Sequence, residues 1–333
     1  MTRQDDAARG WAAAPRHLLG TVLLAFLLAT PGLTGSVRTT ASAVAGAQVS
    51  TPYVGVTMIE RSEASPRLVN MHIAQIDTRA KGIRFKVTPP GGAREVIRQT
   101  TLNFLRAERA QLAINGHFFL PFPSTDTEAW VIGLAASEGR VYSTFEAPEQ
   151  NYALAADAPA INIDRRNRVQ LVHRDSREPD GRHVRERVRL WNTIAGSSQI
   201  LTAGRITLPA YQDAAHPDGI LTPGGPSNYS NDKSWNDIAT ARTVAGLSRD
   251  RRVLTLFTVD VRGGSDGMRL GEIAELLQRD YDVWDAINLD GGGSATMAWE
   301  NPGTGETALV NTSSDNPDGR AVASSLAVFA RRR

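Results

Sequence analysis

Between residues 252 and 293 the apolar rhythm of the chain changes twice and then stops at three consecutive glycines, an order that few folds accommodate. Over residues 252–260, Val253, Thr255, Phe257 and Val259 alternate with Leu254, Leu256, Thr258 and Asp260. Both sets are mostly apolar, so the spacing predicts an interior strand covered on both faces. Over residues 266–281 the period lengthens, and Leu270, Ile273, Ala274, Leu277 and Tyr281 fall on one helical stripe. Asp266 reads as the N-cap of that helix and Glu272 lies at the edge of the stripe.

Residues 283–290 return to alternation. Ile287 and Leu289 take one face, which leaves Asn288 and Asp290 together on the other. Gly291, Gly292 and Gly293 then remove three side chains in a row, which permits positive φ and lets a ligand approach backbone N–H groups. Ser294 and Thr296 add hydroxyls at alternate positions. From spacing alone the segment is equally a connection whose Asn288 and Asp290 satisfy loop backbone, or a binding site. A phosphate-cradling P-loop fits less well, because no Gly-Lys-Ser/Thr follows and residues 295–299 read as strand.

The rest of the chain adds strands more readily than helices. Residues 70–77 and 82–88 are expected to form a hairpin, residues 95–109 a helix carrying Val96, Leu102 and Leu105, and residues 112–114 a short strand that stops at Asn115. Within the arginine-dense stretch 161–191, Val184, Val188 and Leu190 alternate with Arg185, Arg187 and Arg189, the pattern of a half-exposed strand. The other reading of that stretch is an electropositive surface for a polyanionic polymer. Residues 213–237 have no apolar period and are too long for a plain connection, as loops that cover active sites often are. With no repeat or composition break, one mixed-sheet α+β domain with packed helices is expected over residues 70–330, preceded by a lead-in at 48–69.

Residues 1–47 read as a secretory signal: Arg16 and His17, an apolar run at 18–29, and the small residues 45–47 as a cleavage site. The run falls short of the ~20 apolar residues a membrane span needs, so no span is expected after cleavage. The chain has no cysteine, which removes thiol nucleophiles and thiolate metal sites and leaves the exported domain to be held by its core. Thirty-seven basic residues against thirty-five acidic ones give no support to nucleic-acid binding.

Four ordered blocks carry a resemblance. Asn288-Leu-Asp-Gly-Gly-Gly-Ser294 resembles the signature of the phosphodiester glycosidase family. Ile114-Asn-Gly-His-Phe-Phe119 is similar to its Asn-Gly-x-Phe-Phe block, Ala241-Arg-Thr-Val-Ala-Gly246 to its Arg-Thr-x-x-Gly block, and Leu270-Gly-Glu-Ile-Ala274 to its Leu-x-Glu-Leu-Ala helix. Residues 196–204 also resemble a hairpin of that family. Two positions depart from it: His117 stands where a second glycine is common, and Asp260-Val-Arg262 replaces Asp-Gly-Arg.

The resemblance implies a secreted hydrolase that cleaves a sugar-1-phosphodiester of a phosphoglycan, exopolysaccharide or other envelope polymer at the anomeric carbon. It implies Asp290 as nucleophile or base, Glu272 as second carboxylate and Arg242 as the phosphate-binding guanidinium. Asn115, Gly116, His117, Thr243, Asn288, Gly291 and Ser294 would line the substrate, the N–H groups of Gly292 and Gly293 would receive an anionic oxygen, and Asp260 would orient Arg242 or Arg262. No cofactor is required, although a structural calcium ion is compatible with the carboxylates. Two other readings stay open: an envelope glycan-binding module without catalysis, and a metal-dependent phosphodiesterase with Asp260, Glu272 and Asp290 as oxygen ligands.

Overall fold

A computed structural model of the chain describes residues 46–145, 159–178, 181–208 and 236–333. The expected export leader lies outside the described residues up to residue 45, and so does the expected loop up to residue 235. Strand outweighs helix, so the α+β expectation needs correcting toward sheet. Among the described residues there are two α-helices, α1 (Thr101–Glu108) and α2 (Leu270–Tyr281), and five sheets.

The largest sheet has eight strands. In spatial order they are Ala47–Tyr53, Val56–Glu63, Val69–Asp77, Val253–Val259, Arg242–Ser248, Val283–Asn288, Ser198–Thr202 and Arg205–Ile206. All its pairings are antiparallel. Residues 48–69, expected only to lead into the domain, thus supply most of two strands of this sheet and begin a third.

The strand Val253–Val259 is covered on both faces, as its composition requires. Phe257 and Val259 join Ile273, Ala274 and Leu277 of α2 in one core, whereas Leu254 and Leu256 join a second core on the opposite face. That second core is closed by a five-stranded sheet of order Thr307–Leu309, Met297–Glu300, Leu112–Asn115, Ser325–Phe329 and Arg84–Val87. Helix α1 lies beyond this sheet, with Leu102 and Leu105 against Ala113, Ala298 and Ala327. The layers therefore run helix, sheet, sheet, helix.

Several local expectations change. The alternating stretches at 70–77 and 82–88 are both strands, but Val69–Asp77 pairs with Val56–Glu63 and Val253–Val259 while Arg84–Val87 pairs with Ser325–Phe329 in the other sheet. They do not form a hairpin. Helix α1 starts at Thr101 rather than Glu95, because the Thr100 hydroxyl accepts the Asn103 N–H at 3.1 Å, and residues 96–97 and 99–100 are extended. Helix α2 is capped at Arg269, not Asp266. Residues 184–190 keep Val184, Val188 and Leu190 against a core of Leu134, Phe145 and Val172, yet only Val184 bridges to a neighbouring segment and no strand forms there.

Candidate active site

The site is assembled where the two large sheets meet at the end of the Leu112–Asn115 strand. Asn115 is fully buried and joins both sheets through its side chain. Its Oδ1 accepts the Thr243 hydroxyl at 2.7 Å and the Thr296 N–H at 3.0 Å, and its Nδ2 donates to the Asp290 carbonyl at 2.7 Å. The Asp290 N–H donates in turn to the Gly116 carbonyl at 3.0 Å. Both backbone groups of Asp290 are thereby fixed by residues 115 and 116, so Asn115, Gly116, Thr243 and Asp290 do come together.

The strand pairing of Val283–Asn288 ends before Asp290, so the expected face-sharing of Asn288 and Asp290 does not carry through the turn. The Asn288 amide donates to the Ser197 hydroxyl at 2.8 Å, and its Oδ1 has no hydrogen-bond partner among the described residues. The Asp290 carboxylate instead folds back onto its own loop, accepting the Gly291 N–H at 2.9 Å. Burial pushes the Asp290 carboxyl up to about 7, against the opposing pull of the Ser294 hydroxyl, the Arg320 charge and the Gly291 N–H. At neutral pH this group is divided between its acid and its base forms, the condition that suits proton transfer.

The glycines have separate reasons. Gly292 sits at φ 58°, a left-handed conformation that a side chain disfavours. A Cβ on Gly293 would collide with the Arg320 guanidinium, so its absence is what admits that cation to the loop. Gly292 does not offer its N–H to a ligand as expected, since it donates to the Ala241 carbonyl at 2.7 Å. Arg320, which sequence spacing gave no reason to single out, reaches the Ser294 hydroxyl from Nη1 at 3.4 Å and pairs through Nε with Asp315 at 2.7 Å.

Other candidates have different surroundings. Arg242 is fully buried and its Nη2 donates to the Ile238 carbonyl at 2.7 Å; the guanidinium that acts on the Asp290 carboxyl is that of Arg320. Glu272 accepts the Arg269 N–H at 2.7 Å and pairs with Arg67, supplying the carboxylate half of a capping box at the start of α2. Burial raises its carboxyl, but Arg67 and the Arg269 N–H outweigh that and hold it below the usual range. Its partners are thus those of a helix cap rather than of Asp290.

His117 is a core histidine, not an imidazole presented to substrate. Its Nε2 lies 2.9 Å from the Ala195 N–H and 3.1 Å from the Leu134 carbonyl, and its Nδ1 lies 2.7 Å from the Ser324 hydroxyl. Burial pushes its pKa down to about 4, so it stays neutral. Asp260 is buried. Its carboxylate accepts from Asn311 Nδ2 at 3.2 Å and the Thr312 N–H at 3.1 Å, and lies 3.1 Å from His72 Nε2. The described residues hold no group of three or more His, Asp or Glu side chains placed to share a metal ion, so Asp260, Glu272 and Asp290 do not converge as a ligand set.

The phosphodiester glycosidase profile matches residues 108–329, a span that includes Asn115, Arg242, Glu272, Asp290 and Arg320. Mouse N-acetylglucosamine-1-phosphodiester alpha-N-acetylglucosaminidase is 47% identical over 61 residues, 18% of this chain and 11% of the mouse protein. The human enzyme is 27% identical over 208 residues, 62% of this chain and 35% of its own length, so the aligned region spans about a third of that relative. In fold, the chain is similar to the catalytic domain of the zebrafish enzyme, solved auto-inhibited by its pro-peptide: TM-score 0.55, 22% identity, 87% of this chain and 85% of that one. It is also similar to a hypothetical protein from Synechocystis, with TM-score 0.51 and 16% identity over 86% of this chain and 68% of the other.

Proposed function

From the premise that the chain belongs to the phosphodiester glycosidase family, we propose that it is an exported hydrolase that cleaves a sugar-1-phosphodiester of a phosphoglycan or envelope polymer at the anomeric carbon. The bond between C1 and the phosphate oxygen breaks, the water oxygen ends on C1, and the products are a free sugar and a phosphomonoester. The observation that carries this reading is the Asp290 carboxyl, buried in the family's glycine signature with both its backbone groups pinned by Asn115 and Gly116.

The transition state at C1 has oxocarbenium character and needs a carboxylate beside it. Asp290 supplies that charge in its ionised form, either by attacking C1 or by taking the proton of the attacking water. A phosphate leaving group is a weak base, so holding its charge matters more than protonating it. Ser294 and the Gly291 N–H keep the Asp290 carboxylate aimed while it changes charge. Export follows from the charged and apolar pattern of residues 1–47, and no helix of the described residues is long and apolar enough to cross a membrane.

The test is incubation of the purified chain with a panel of sugar-1-phosphodiesters, read by NMR for the bond cleaved and the anomer first formed. The wild type is expected to release sugar and phosphomonoester, and Asp290→Asn to lose at least about 1000-fold in kcat with an unchanged fold by circular dichroism. Saturable polymer binding without any product would instead identify a glycan-binding module.

A further inference from the structure

Beside Asp290 lies a ladder of cations and aromatic rings that the chemistry above does not use. The Arg98 guanidinium stacks 4.8 Å from the Phe119 ring, Phe119 meets Phe122 edge-on at 5.9 Å, and Arg320 stacks 4.8 Å from Phe122. Phe122 is 41% exposed, so this end of the ladder reaches the surface. Resting on the glycosidase reading, we propose that Arg320, supported by Arg98 and Phe122, is the subsite that grips the phosphate of the substrate diester.

The bland alternative is a loop staple, since Arg320 and Asp315 close the turn around residue 316. That pair occupies only Nε, however. Nη1 and Nη2 are turned toward Ser294 and Gly293, on the loop that holds the reacting carboxyl. The Arg320 side chain keeps 22% of its surface accessible, and a planar guanidinium anchored through Nε can still direct Nη hydrogens at two phosphate oxygens.

Arg98 adds charge without competing for the ligand. Its hydrogen bonds end on backbone carbonyls, those of Ala321, Ser124 and Asp126, at 2.9–3.1 Å. Burial first, and then the nearby Arg320 charge, depress its guanidinium pKa, the sign of two cations held together at some cost. An anion between them and Asp290 would relieve that repulsion.

The subsite is tested on the full chain by titrating inorganic phosphate and following binding by phosphorus NMR, in parallel with turnover. Arg320→Ala is expected to weaken phosphate binding at least 10-fold. Arg320→Lys keeps a cation for Asp315 but loses the fork, and is expected to fall about as far. On the diester that the wild type cleaves, kcat/KM should drop at least 100-fold in Arg320→Ala, and at least 10-fold more than on the neutral p-nitrophenyl glycoside of the same sugar, which registers only the loss of the Arg320 pull on Asp290. Phe122→Ala, at an exposed position, should retain the fold and weaken binding 3-fold or more.

Equal losses on diester and neutral glycoside, or phosphate affinity unchanged in all three variants, would overturn the subsite while leaving the reaction standing. Phosphate binding that depends on Arg320 in a chain that cleaves no diester would do the reverse.

Discussion

At the scale of single residues, Asp290 makes the stability of the chain depend on pH in a direction opposite to most carboxylates. Its ordinary pKa of 3.8 rises to about 7 in the folded chain because burial penalises the charge. The folded state therefore holds a proton that the unfolded state releases between those values. The stabilisation is complete below pH ~4 and is lost as pH rises through ~7, at most about 4 kcal/mol by linkage. Asp290→Asn keeps an oxygen for the Gly291 N–H but cannot ionise. Urea midpoints at pH 5 and pH 8 should therefore converge in the variant relative to wild type, with the variant gaining at pH 8. Parallel profiles would mean that the carboxyl ionises in the fold as it does in water.

At the scale of elements, Glu272 is a carboxylate whose partners are those of a helix end. Its place at the edge of the α2 stripe was legible, because a 3.6-residue period fixes which side chains lie beside the apolar face. What it binds was not, since Arg67 comes from a segment 205 residues earlier and no period links the two. The cap predicts that Glu272→Ala costs about 1 kcal/mol, measured by thermal melting. Glu272→Gln keeps an oxygen for the Arg269 N–H, so turnover within about 3-fold of wild type is expected. A loss of orders of magnitude in a folded Gln variant would return Glu272 to the chemistry.

The same distinction runs through the strands. Val253–Val259, Val283–Asn288 and Leu112–Asn115 could be read from alternation and apolar content because these record burial directly. Alternation says nothing about partners, which is why Val69–Asp77 and Arg84–Val87 were mistaken for a hairpin although they belong to different sheets. Arg320 escaped notice for a related reason. It sits in a polar turn without periodicity, and only the packing of that turn on Gly293 brings its charge to Asp290.

For the whole molecule, one side chain ties the Asp290 loop to both large sheets. Asn115 stands on the inner sheet, and its three hydrogen bonds end on Thr243 of the eight-stranded sheet and on Asp290 and Thr296 at the two ends of the glycine loop. Its importance was visible in the Asn-Gly-x-Phe-Phe block, but its direction was not: the amide is spent inside the protein rather than on sugar. Asn115→Ala leaves a buried hydroxyl, a buried N–H and a buried carbonyl with one partner fewer, and such groups cost about 1–3 kcal/mol each when unsatisfied. A destabilisation on the order of 3 kcal/mol is expected in urea denaturation. Because the Asp290 backbone is also released, kcat should fall by at least about 10-fold at temperatures where the variant remains folded, with KM changing less. A KM rise at constant kcat would mean that Asn115 contacts substrate after all. Normal stability with normal turnover would mean that the sheets are held in register without it, and that the position of Asp290 is set by Gly116 alone.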